Sequence, residues 1–129
     1  MTRPSAPQVA RGALALALTG MGVLHLVPSA TRTMAAIVPP SLRDRPLSAR
    51  SLVLITGGCE LAGATGLLVP RTRPAAGVAL VLFFAAVFPA NAYAARHRDR
   101  FGPVAVPLVP RAAAQVALAA VTAWAAFRR

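Results

Sequence analysis

Apolar residues in this chain run in four long blocks separated by polar, proline-marked connections. The blocks cover roughly 8–27, 51–69, 75–94 and 111–127, each close to the ~20 residues that carry an α-helix across a ~30 Å hydrocarbon core. Little chain is left over for a water-soluble domain. In lipid every backbone amide must be satisfied within the span, so the pattern predicts an all-α fold: a single domain over 1–129 forming a four-helix transmembrane bundle, up-down antiparallel.

The connections refine that topology. Only Pro70-Arg71-Thr72-Arg73-Pro74 separates the second block from the third, which forces an antiparallel hairpin with proline ending one helix and opening the next. The connection from Pro28 to Arg50 is the longest and contains Met34-Ala35-Ala36-Ile37-Val38, ended by Pro39-Pro40. That apolar piece is too short to span and is expected in the interface, covering one end of the bundle. It can be a lid or re-entrant turn, but a surface connection resting on headgroups is the simpler expectation. The stretch from Arg96 to Pro110, broken by Pro103, Pro107 and Pro110, reads as a loop. A short basic stretch before the first block resembles the start of a secretory signal, but no A-x-A-like site follows and Pro28 precedes the plausible cut. The first block is therefore expected to stay as a span.

Composition supports the membrane reading. Of 129 residues 57% are hydrophobic and 13% charged, with a mean hydropathy of +0.62, too apolar for an ordinary soluble domain. The formal net charge is +11 and all fourteen basic residues are arginine. They stand at block ends and in connections, as headgroup anchors do, and not on one soluble face with an aromatic platform. Nucleic acid is therefore excluded as a partner, and the lipid bilayer is the expected one. Arginine counting gives six on the side of the termini and eight opposite, which does not settle orientation. Cytoplasmic termini are the working expectation. Arginine-only usage with abundant alanine and proline points to a GC-rich bacterial genome, hence a bacterial cytoplasmic (inner) membrane.

Glu60 breaks the second block near its middle. A carboxylate at that depth costs roughly 2.5 kcal/mol or more on insertion scales, so it needs a partner or a use. At about 100° per residue it shares a helix face with Thr56, Gly57, Gly63 and Ala64, small or hydroxylated residues that let a neighbouring helix approach. Glu60 is thus expected to point into the bundle. Gly58, Ala62 and Gly66 form a second small ridge on the other side, which places this helix at the centre of the packing.

Counting residues from the side of the long connection puts His25, Glu60, Asn91 and Gln115 in the same half of the membrane. Their convergence on a shared polar core, or ligand-binding site, is the economical arrangement in lipid. Pro89 lacks an amide hydrogen, kinks the third helix and frees the carbonyl of Ala85 as a further acceptor. Plainer roles exist for each: Asn91 and Gln115 as interhelical glue, His25 as either solvated at the interface or paired with Glu60, and Glu60 as a protonated packing group. Tyr93 and Trp124 sit where interfacial aromatics belong. Cys59 is the only cysteine, so no intramolecular disulfide or CxxC motif exists, and a thiol in an apolar helix is expected to be unreactive and to serve packing. Two histidines and three acidic residues show no metal-ligand spacing. No nucleophile motif, phosphate loop or paired carboxylate occurs.

The segments Ile37-Val38-Pro39-Pro40, Thr56-Gly57-Gly58-Cys59-Glu60-Leu61-Ala62-Gly63, Gly66-Leu67-Leu68-Val69-Pro70-Arg71-Thr72-Arg73 and Phe88-Pro89-Ala90-Asn91 resemble the DoxX-like family of small bacterial integral membrane proteins. The resemblance runs from about residue 20 to 124 and is most specific in the Glu-bearing helix with its PRTR turn. It implies a four-helix membrane bundle with polar residues at positions 25, 60, 91 and 115. The family takes its name from a membrane subunit linked to quinone-dependent sulfur oxidation, so a quinone is the implied candidate cofactor and a membrane or redox protein the implied partner. The single cysteine departs from redox-active relatives. The leading expectation is a small accessory or partner-binding subunit of a quinone-linked redox system. The alternatives are a bundle that binds or transports a small molecule or protons through Glu60 and His25, and a purely structural membrane protein. An enzyme is the least favoured class, because only His25 with Glu60 could form an acid–base pair.

Overall fold

Local chemistry sets where each helix starts and stops. The computed structural model describes residues 2–129, apart from the side chain at position 104. Helix α1 (Ala6–Leu26) opens at Ser5, whose amide donates to Gln8 Oε1 at 2.7 Å, one half of a capping arrangement. It ends because Pro28 bars the helical conformation from Val27, which is extended at φ −75° and ψ 123°. The same proline opens α2 (Pro28–Ala36), where a missing amide hydrogen costs nothing. Helix α3 (Ala49–Leu68) is capped by Ser48 Oγ, which accepts from the Ser51 amide at 3.1 Å. Helix α4 (Arg73–Arg96) carries Pro74 in its first turn and Pro89 inside. A single turn α5 (Arg98–Phe101) and a 3₁₀ turn (Gly102–Val104) precede α6 (Leu108–Phe127).

The helices α1, α3, α4 and α6 are each long and apolar enough to cross a membrane, at 21, 20, 24 and 20 residues. Among the described residues there is no strand. The chain is an all-α, multi-pass membrane protein suited to a lipid environment. The spans lie within two or three residues of the sequence expectation. Helix α1 packs on α3, α3 on α4, α4 on α6, and α6 returns to α1, closing a four-helix ring.

Two connections differ from expectation. Met34, Ala35 and Ala36 end α2, a helix that folds back against α1 and α3, and Ile37 and Val38 follow it as a turn. Arg43 fixes its exit, with Nε donating to Val38 O and Nη2 to Ala36 O, both at 2.7 Å. The stretch read as a loop from Arg96 to Pro110 winds a helical turn, because its prolines begin only after Gly102, which supplies a positive φ of 57°.

The apolar core occupies the half of the bundle near the termini. Leu14 and Leu18 of α1, Leu67 of α3, Leu80 and Phe84 of α4 and Ala125 of α6 are buried together there. Close helix approach is built from small residues: a Cβ on Gly77 would collide with the Ala126 methyl, and one on Gly66 would stand 2.7 Å from that of Ala76. Of the ridge expected from Gly58, Ala62 and Gly66, Gly66 packs on α4, while Gly58 and Ala62 do not enter this packing. Both are exposed, because α1, α2 and α4 cover the Glu60 side of α3 and these two residues lie on the other side.

The buried imidazole–carboxylate pair and its surroundings

Glu60 lies 7% exposed on the inner face of α3, in phase with the buried residues Gly57, Gly63 and Ala64. The crossing of α1 and α3 is tight at this level. A Cβ on Gly57 would come within 2.7 Å of His25 Cβ and 2.9 Å of Gly22 O, so only glycine permits the approach. Helical side chains lean towards the N-terminus of their own helix, so side chains on antiparallel neighbours lean towards each other. His25 and Glu60 meet in this way.

His25 Nδ1 stands 3.0 Å from Glu60 Oε2 and 2.7 Å from Met21 O. One ring nitrogen thus faces two acceptors. Its hydrogen-bond alignment favours the Met21 carbonyl, and the buried Oε2 atom, although in ion-pair contact, has no aligned hydrogen bond. An acceptor left in that condition in a low-dielectric interior is costly.

Helix α2 roofs the pair. The buried Thr31 hydroxyl donates to His25 O and, at 2.9 Å, to Val27 O. His25 O lies where helical partners run out before the break at Val27, while Val27 O also accepts from the Thr31 amide at 2.8 Å. His25 is only 8% exposed, so it is paired with Glu60 and not solvated at an interface.

Asn91 and Gln115 are joined to other groups. Arg111 Nη1 donates to Asn91 Oδ1 at 2.6 Å, and Gln115 Nε2 donates to Phe84 O at 2.6 Å. The expected single cluster is therefore divided: His25 and Glu60 share the α1–α3 contact, while Asn91, Arg111 and Gln115 stitch α4 to α6. Asn91 and Gln115 each bond to the helix packed directly on their own, whereas Glu60 Oε2 keeps an ion-pair contact with α1 and no aligned donor. The carbonyl taken near Pro89 is that of Phe84 and not that of Ala85, since Phe84 sits on the buried face of α4.

Sequence reasoning missed two arginines. Arg111 was counted as a headgroup anchor, yet it is half-buried and bonds inward. Arg11 is 5% exposed, and its Nη1 donates to Ala125 O and Arg128 O, each at 2.9 Å. Helical phase could have found both. Arg11 repeats with Leu14, Leu18, Gly22 and His25 on one face, and Arg111 with Gln115, Leu118 and Thr122 on another.

Cys59 is exposed and not packed inside, because it lies on the flank of α3 that faces outward. It borders an apolar groove of about 850 Å³ between α3 and α4, lined also by Ala62, Gly66, Ala76, Ala79 and Phe83. Among the described residues no group of three or more His, Cys, Asp or Glu side chains is placed to hold a metal ion.

Fold and site together define a multi-pass helical membrane protein with a buried imidazole–carboxylate pair between two of its spans. The family described as a domain of unknown function (DUF8561) matches residues 14–128, and the chain belongs to that family. The match takes in His25, Glu60, Asn91 and Gln115. No curated protein and no solved structure matches the chain.

Proposed function

We propose that this chain is a DoxX-like integral protein of the bacterial cytoplasmic membrane, with cytoplasmic termini, that acts as a small accessory or partner-binding subunit of a quinone-linked redox system. The observation that carries the reading is the outward face of α3. Gly58 and Ala62 are exposed there, with no atom within 4 Å of a Cβ built on Gly58, and the apolar groove against α4 runs beside them. Small residues on a lipid-facing ridge let another transmembrane helix approach closely. Affinity purification in mild detergent should recover a stoichiometric membrane partner, and Gly58→Leu with Ala62→Leu should release it while leaving the chain folded. Recovery of the chain alone under several growth conditions, or retention of the partner by the double variant, contradicts the reading.

A second reading is favoured by one atom. Glu60 Oε2 is a buried acceptor without an aligned donor, and His25 lies beside it, so the pair fits a ligand that offers a hydroxyl, as a reduced quinone headgroup does, or a relayed proton. Glu60→Gln keeps the shape and removes the charge. It should alter pH-dependent binding of a short-chain quinol analogue without unfolding the protein, and an unchanged pH profile counts against this reading.

A further inference from the structure

The end of the bundle that carries the α3–α4 turn holds a second, unrelated polar feature. Pro70, Arg73 and Pro74 of the turn and Phe127, Arg128 and Arg129 at the end of α6 line a pocket of about 360 Å³. The three acidic residues of the chain are Asp44, Glu60 and Asp99. Asp44 and Asp99 belong to the connections at the opposite end, and Glu60 is in mid-helix. No acidic side chain is therefore available here to neutralise the arginines.

The negative ends of the helices that reach this level are already satisfied. Arg11 Nη1 caps the last carbonyls of α6 through Ala125 O and Arg128 O, and Arg73 Nε caps α3 through Leu67 O at 3.1 Å. That leaves the guanidinium groups of Arg73, Arg128 and Arg129 as the charged groups lining the pocket. Guanidinium groups pair with phosphate oxygens through charge-assisted hydrogen bonds, and an ammonium can stand in for them there as a point charge. Leu68, Val69 and Phe127 are exposed on the adjoining apolar surface, where acyl chains would lie.

We propose that this pocket binds the phosphodiester headgroup of an anionic phospholipid. Phosphate supplies the charge the arginines lack, and the exposed apolar rim supplies the reason a lipid is held and a free ion is not.

The test uses the full chain, delipidated in an uncharged detergent and titrated with phosphatidylglycerol or phosphatidylcholine, with bound lipid counted by native mass spectrometry. Arg128→Gln with Arg129→Gln removes two exposed charges whose side chains make no hydrogen bond or ion pair among the described residues. This variant should bind phosphatidylglycerol roughly tenfold to thirtyfold more weakly, as expected for two arginines at a lipid surface. Arg128→Lys with Arg129→Lys should stay within about threefold of the parent, because charge is kept. The control Arg45→Gln with Arg50→Gln, at the other end of the bundle, should do the same. Millimolar inorganic phosphate should not displace the lipid. Equal weakening in the control, equal affinity for phosphatidylcholine, failure of the lysine variant to restore binding, or displacement by inorganic phosphate would each overturn the proposal.

Discussion

At the scale of single residues, the cost of Glu60 is set by how far His25 compensates it. The two are 3.0 Å apart and both buried, so removing the imidazole strands a carboxyl in a low-dielectric interior, whereas removing the charge does not. His25→Leu is expected to lower stability by about 3–5 kcal/mol, the range for breaking a buried pair. Glu60→Gln should cost no more than about 1–2 kcal/mol. Denaturant unfolding in mixed micelles would measure both, and the reverse order would refute the pairing. The inward direction of Glu60 was legible from its phase with Gly57, Gly63 and Ala64. Whether His25 meets it was not, because His25 sits at the end of its block, where solvent and protein compete equally. What decides the matter is α2 folding back over that end, which follows from Pro28 and from Thr31 reaching the His25 carbonyl. A threonine–carbonyl contact across a proline break leaves no periodic mark in sequence.

At the scale of helices, adjacent glycines in α3 have opposite roles. Gly57 is the contact point with α1, and Gly58 faces outward with nothing within 4 Å of an added Cβ. Gly57→Ala should therefore destabilise by about 1–3 kcal/mol, since backbone atoms must move apart. Gly58→Ala should be neutral or stabilising by up to ~1 kcal/mol through helix propensity. Unfolding midpoints of the two variants, compared side by side, test the assignment of faces. Between α4 and α6, Gln115→Leu should cost roughly 0.6–2 kcal/mol, the worth of an interhelical hydrogen bond in a membrane. Polar satisfaction by the nearest helix also explains why sequence reasoning merged two groups into one. Depth along the membrane can be counted from the sequence, but which helices touch cannot, and here α1 pairs with α3 while α4 pairs with α6.

At the scale of the whole molecule, the ring is closed by an arginine. Arg11 joins the first span to the last through two carbonyls of the α6 terminus, so α1 and α6 are held by charge-assisted bonds where the core side chains are mostly alanine. Arg11→Met keeps much of the apolar stem but should speed amide exchange in the last turn of α6, from Trp124 to Arg128. Unchanged exchange there would remove the closing role. The four spans were readable from block length alone, because the bilayer fixes the length of any helix that crosses it. Their lateral order was not, because lipid and protein interiors are equally apolar and hydropathy cannot tell them apart.

A carboxyl in the middle of one span is held by an imidazole from its neighbour, inside the bundle and away from lipid. Solid-state NMR on the protein in bilayers, with ¹⁵N in histidine and ¹³C in glutamate, measures that contact directly, since Glu60 is the only glutamate and His97 lies at the end of α4. Strong dipolar transfer is expected between His25 Nδ1 and the Glu60 carboxyl carbon, in keeping with the 3.0 Å separation of Nδ1 from Oε2. Absence of that transfer, with the carboxyl carbon instead in contact with lipid acyl protons, would contradict it.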